Sequence, residues 1–123
     1  MPIHVNLIVI YTLNIEQTVS FYQDLGLIFN KERHGNGPEH YACELGSFVF
    51  EIYPSQSRQI DETTRIGFNV DNIERIIDKL RLRKAQVVTE PTVSIWGKRA
   101  VLEDPDGRKV EIVEALKSKV SEK

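Results

Sequence analysis

Cysteine is almost absent. Cys43 stands alone, so no disulfide forms within the chain, and a single thiol fits a reducing compartment. A basic excess is missing as well: 16 Lys and Arg face 18 Asp and Glu, a net charge of -2. With no surplus cation to neutralise phosphates, no nucleic-acid partner is expected. No apolar run approaches the roughly 20 residues that a membrane helix needs. The N-terminal run alternates and includes His4 and Asn6, unlike a secretory signal. A cytoplasmic protein without a membrane partner is expected. Neither a phosphate-cradling glycine loop nor a metal-type cysteine spacing occurs, and no Ser-His-Asp or Cys-His set is legible. What remains is ordinary globular composition, 41% hydrophobic and 28% charged in 123 residues, enough for one domain with a real core (1–123).

The informative feature is an echo. Asn14-Ile15-Glu16 recurs as Asn72-Ile73-Glu74, 58 residues later, each time after a strand-like run and before an amphipathic stretch. The halves also end alike, in Phe50-Glu51-Ile52 and Val110-Glu111-Ile112. Internal repetition of this kind predicts two copies of one module, with a cleft at their pseudo-twofold axis as the natural ligand site.

Ile3 to Tyr11 reads as a buried strand. Asn14 caps a helix, with Gln17 three residues on, and Ile15, Val19, Tyr22 and Leu25 share a face ended by Gly26. Leu27–Arg33, Glu39–Leu45 and Phe48–Tyr53 follow as strands separated by Gly-rich turns. Residues 54–62 read as a polar linker. Module two repeats the plan: strand Arg65–Val70, a helix capped by Asn72, then strands Gln86–Ser94, Lys98–Glu103 and Lys109–Glu114. Its helix buries Ile73, Ile76, Ile77 and Leu80 and leaves its charged face to solvent. Asp104-Pro105-Asp106-Gly107 is a tight turn, and 115–123 is a frayed tail. The expected fold is α+β: two βαβββ modules (3–53 and 63–114) forming a curved, cleft-bearing mixed sheet with helices on its outer face.

Strand alternation then assigns faces. Phe48, Phe50 and Ile52 pack under a helix, which sends Glu51 and Tyr53 the other way; Val110 and Ile112 do the same for Glu111. Ile66, Phe68 and Val70 leave Arg65 on the open face, and the 58-residue offset maps Arg65 onto Leu7. Leu7, Glu51, Arg65 and Glu111 are therefore equivalent inward positions. A lone strand glutamate is usually a solvated surface charge; falling at the same place in both modules weighs against that.

The paired modules, Phe21-Tyr22 with Leu25-Gly26-Leu27, and the Asp104-Pro105-Asp106-Gly107 turn before Val110-Glu111-Ile112 together resemble the vicinal oxygen chelate superfamily. It includes glyoxalase I, extradiol dioxygenases, and fosfomycin and bleomycin resistance proteins. The resemblance runs from about Ile3 to Glu114 and implies the fold more than the function. In glyoxalase I-like members four inward side chains, typically a His and a Glu per module, hold a metal. Here the glutamates match at Glu51 and Glu111, whereas the histidine positions hold Leu7 and Arg65. Leucine has no donor atom and a guanidinium has no lone pair to offer. His4, His34 and His40 read as surface residues. The resemblance thus implies a metal-free member with no cofactor, in which Arg65 supplies the missing positive charge to Glu51 and Glu111.

Ser94-Ile95-Trp96-Gly97-Lys98-Arg99 resembles turns that border the cleft in bleomycin-resistance-like members. Trp96 has two readings, a stacking wall for an aromatic or cationic ligand or a staple of the turn to the core. Tyr53 extends that wall, Tyr11 either extends it or seals a strand end, and Arg99 contacts ligand acid groups or pairs with Glu103. The expected function is binding or sequestering a small molecule such as an antibiotic, by Leu7, Tyr11, Glu51, Tyr53, Arg65, Trp96, Arg99 and Glu111. The resemblance adds a homodimer. A metal-dependent lyase, isomerase or dioxygenase is one alternative, with catalytic residues unassigned; an ancillary protein whose cleft is filled by its own side chains is another.

Overall fold

The computed structural model describes residues 2–116, so the expected tail lies outside the described residues from 117 onward. The chain forms two compact units, Met1–Glu62 and Thr63–Lys123. The first contains β1 (Leu7–Thr12), α1 (Ile15–Asp24), β2 (Asn30–Glu32), β3 (His40–Leu45) and β4 (Phe48–Pro54). The second contains β5 (Arg65–Val70), α2 (Ile73–Leu82), β6 (Gln86–Ser94), β7 (Gly97–Glu103) and β8 (Lys109–Ala115). Each unit is one four-stranded sheet, ordered β1-β4-β3-β2 and β5-β8-β7-β6, with its first and last strands parallel. The module plan and its α+β class are as expected.

The echo has a physical basis in helix initiation. Asn14 and Asn72 are both extended, and each side chain accepts from the backbone N–H three residues on, at 3.2 Å from Gln17 and 3.1 Å from Arg75. A cap is worth about 1 kcal/mol. Burial holds the helices more firmly: Ile73, Ile77 and Leu80 are fully buried, each contributing roughly 1.5–3 kcal/mol. Tyr22 anchors α1 edge-on against Phe50, with ring centroids 5.2 Å apart.

The helix ends also repeat, with one change. Gly26 closes α1 at φ 114, and the equivalent position after α2 is Lys84 at φ 63. Both turns send the following N–H back into the helix, Leu27 to Tyr22 O and Ala85 to Leu80 O, the pattern of a left-handed C-terminal cap.

Two strands are shorter than expected. β1 begins at Leu7, because Ile3 and Val5 are exposed and β4 supplies pairing partners only from Val49 onward. β2 keeps just Asn30–Glu32, the residues that pair with β3. Alternation marks residues able to form a strand; a partner's hydrogen bonds decide which do.

Asp104–Gly107 is the expected tight turn, with Gly107 N–H donating to Asp104 O at 2.9 Å. Less expected is Arg108, which is 1% exposed. Its Nη1 lies 3.1 Å from both Asp104 Oδ2 and Asp106 Oδ2, so the turn closes around a buried guanidinium.

Candidate functional site

In each unit the face of the sheet away from its helix carries the chemistry. In the first unit β1 and β4 run in register as Leu7↔Val49, Val9↔Glu51 and Tyr11↔Tyr53, which puts Leu7, Tyr11, Glu51 and Tyr53 on that face together. Tyr11 and Tyr53 meet with ring centroids 5.7 Å apart. Burial and the neighbouring Glu51 push the Tyr53 phenol up from its ordinary pKa, so it stays protonated.

His40 corrects the surface reading. It is 1% exposed and lies flat on Tyr53, centroids 4.1 Å apart and planes within 7°. Its cross-strand neighbour is Glu32 on β2. A rung Tyr11–Tyr53–His40–Glu32 therefore crosses all four strands. His34, just beyond β2, is exposed as expected and joins the rung, its ring 5.0 Å from that of His40.

The expected linker is a shaped loop. Ser55 N–H donates to Thr12 O at 2.8 Å, and Ser55 Oγ donates to Gln59 O at 2.8 Å. Tyr11 and residues within 55–61 line a depression of about 520 Å³. Only the tyrosine was recognisable from sequence; a polar, aperiodic loop carries no signal that it will wall a cavity.

In the second unit Glu111 is the centre of the open face. Arg99 Nε donates to Glu111 Oε2 at 2.6 Å, and Arg65 Nε lies 3.6 Å from Oε1. The hydrogen bond from Arg99, aided by the charges of Arg99 and Arg65, holds the Glu111 carboxyl below the usual glutamate range, more than offsetting its partial burial. Arg99 therefore pairs with Glu111, not with Glu103, which Lys109 takes at 2.8 Å. Strand pairing explains the choice: Val101 lies opposite Glu111, and Arg99 sits two residues along on the same face.

Trp96 is 67% exposed, so it does not staple its turn to the core. The turn is set by Ser94 Oγ donating to Gly97 O at 2.7 Å and accepting from Trp96 N–H at 3.2 Å. Gly97 has φ 133, and a Cβ there would meet Glu114 O at 2.3 Å, so only glycine fits. Cys43 is buried, which raises its thiol pKa and removes it as a nucleophile.

Residues 4–112 match the profile of the Glyoxalase/Bleomycin resistance protein/Dioxygenase superfamily. The chain belongs to that superfamily. A phenazine antibiotic resistance protein, EhpR, of Enterobacter agglomerans is 26% identical over 117 residues, covering 87% of this chain and 88% of that protein. Among solved structures, TnmS3, an antibiotic binding protein from Streptomyces sp. CB03234, superposes with a TM-score of 0.74 at 18% identity, covering 94% of this chain and 98% of its own. The oxidase ChaP-H2 matches equally well, with a TM-score of 0.76 at 18% identity over 94% of this chain and 96% of its own. A binder and an oxidase on one superfamily fold leave function to be argued from side chains. No helix among the described residues is long and apolar enough to cross a membrane.

Proposed function

We propose that this superfamily member binds a planar aromatic small molecule of the phenazine antibiotic type and does so without the superfamily's metal. The observation that carries the reading is the depression of about 520 Å³ beside Tyr11, within the roughly 300–1,000 Å³ of small-molecule sites. Its tyrosine wall continues through Tyr53 to His40, a run of rings suited to stacking on a flat ligand. The exposed Trp96 is a second aromatic surface, and the resistance function named for EhpR points to the same ligand class.

The metal-holding positions of the superfamily do not fit a metal in this chain. Leu7 offers no donor and Arg65 offers only a cation. Of the two carboxylates, Glu111 is already engaged by two guanidiniums. A homodimer remains part of the proposal, supported by the exposed apolar cluster Val93, Ile95 and Trp96 at the β6–β7 turn.

The test is a titration with phenazine-1-carboxylate, read by calorimetry. Losing a stacking partner is worth about 0.5–1.5 kcal/mol beyond area, so Tyr11→Ala should weaken binding about 3- to 10-fold or more. Absence of binding, or binding indifferent to both Tyr11→Ala and Trp96→Ala, refutes the proposal. Light scattering of the purified protein checks the dimer.

A further inference from the structure

Glu32, His34 and His40 each place one donor atom within 4.8 Å of the other two. We propose that these three side chains form a binding site for a divalent transition-metal ion of the zinc type, at the β2–β3 hairpin and apart from the superfamily's metal positions.

The spacing suits such an ion. His34 Nε2 lies 3.4 Å and His40 Nε2 3.5 Å from Glu32 Oε1. Donors bound tetrahedrally at about 2.0–2.1 Å are separated by roughly 3.3–3.4 Å, so these two edges are close to the required length. Two imidazoles and a carboxylate are a donor set that such ions prefer.

His40 provides a second and independent observation. Its Nε2 is buried and makes no hydrogen bond, although the residue is 1% exposed. A buried imidazole nitrogen left unbonded is costly. The other ring nitrogen, Nδ1, faces Pro38 O at 3.2 Å. A carbonyl oxygen only accepts, so Nδ1 donates there, and Nε2 is the nitrogen turned toward Glu32. With Nδ1 so engaged, Nε2 is the nitrogen left to meet a metal, and the outer hydrogen bond orients the ring as it does in metal-binding histidines. Stacking on Tyr53 holds the ring plane.

Local geometry explains how three residues converge. Glu32 and His34 are two apart and project to the same side, and His40 is the cross-strand partner of Glu32. A turn closed by Gly37 N–H on His34 O at 3.0 Å, with Gly35 at φ 60, brings the chain back. Among the described residues no lysine or arginine forms an ion pair with Glu32. The site is open on the side of His34, whose side chain is 71% exposed. Three protein donors and an open position leave room for a bound water.

The experiment uses the full chain stripped of metal with chelator, titrated with Zn²⁺ at pH 7.5 by calorimetry, and with Co²⁺ for the visible absorption of a tetrahedral site. Variants are His34→Ala and Glu32→Gln, both at solvent-accessible positions, with His4→Ala as the control for incidental histidine binding. We expect one equivalent bound per chain, affinity lower by about 100-fold or more in each of the two site variants, given that outer partners alone are worth 10- to 100-fold, and unchanged affinity in His4→Ala. Absence of binding, or binding retained in either His34→Ala or Glu32→Gln, overturns the site.

Discussion

Replacing Glu111 by glutamine isolates the charge of the carboxylate at the centre of the second sheet while keeping its shape. In the wild type Arg99 donates to it at 2.6 Å, and the two side chains are 28% and 27% exposed. A hydrogen bond to a charged group contributes roughly 1.5–3 kcal/mol, about twice a neutral one, and partial exposure lowers that. Arg65, at 3.6 Å and 53% exposed, adds a few tenths at most. Glutamine still accepts from Arg99, so the expected loss at pH 7 is about 1 kcal/mol, or roughly 4 °C in Tm for a chain of this length. The pH dependence is the sharper readout. Because the folded carboxyl titrates below the ordinary glutamate value, its contribution is complete above the unfolded pKa of about 4.3 and is lost as pH falls through the folded one. Urea titrations at pH 7, 5 and 3.5 should show the wild type and Glu111→Gln converging toward the acid end. Arg99→Met should cost less in the Glu111→Gln background than in the wild type. A stability difference that stays constant from pH 7 to 3.5, or strict additivity of the two substitutions, would refute the pairing.

Arg108→Met should destabilise by about 3–5 kcal/mol in urea, since it leaves the carboxylates of Asp104 and Asp106 buried without their guanidinium; a loss under about 1 kcal/mol would show that the turn does not depend on it. Lys84→Gly should stabilise by about 0.5–1 kcal/mol, because φ 63 strains lysine and not glycine. The change should raise Tm by a few degrees, and Gly26→Ala at the equivalent position should lower it.

The parts of the fold legible in sequence were those decided locally. Asn14 and Asn72 start helices through bonds spanning three residues, and the parity that separates Phe50 and Ile52 from Glu51 and Tyr53 is a property of one strand. What sequence could not supply was pairing. Ile3 and Val5 have strand character but lie outside the β1–β4 ladder. Arg99 had Glu103 four residues away, yet its strand neighbour β8 offers Glu111 at a closer approach. His40 reads as a surface histidine until β4 sets Tyr53 beside it and β2 sets Glu32 opposite. The cluster at the hairpin was therefore hidden for the same reason as the Arg99 pair: both are made across strands.

The two sheets share connectivity and register, which allows their open faces to be compared rung by rung. Tyr11 and Tyr53 pair on β1 and β4, where the second unit pairs Asn69 with Val113 on β5 and β8. The next strand carries His40 in the first unit and Arg99, opposite Val113, in the second. One rung is aromatic and ends in an imidazole facing a carboxylate; its equivalent pairs an amide with an aliphatic side chain beside a fixed cation. Glu51 and Glu111 are common to both faces, as are Glu44 and Glu103 on the neighbouring rung, but the surroundings of the first pair differ. Glu111 has Arg99 and Arg65 as partners, whereas Glu51 lies beside Val9 on β1 and Ala42 on β3. A symmetric metal cage needs equal donors from both modules. Duplication has kept the scaffold while placing rings and imidazoles on the open face of the first sheet and guanidiniums on that of the second.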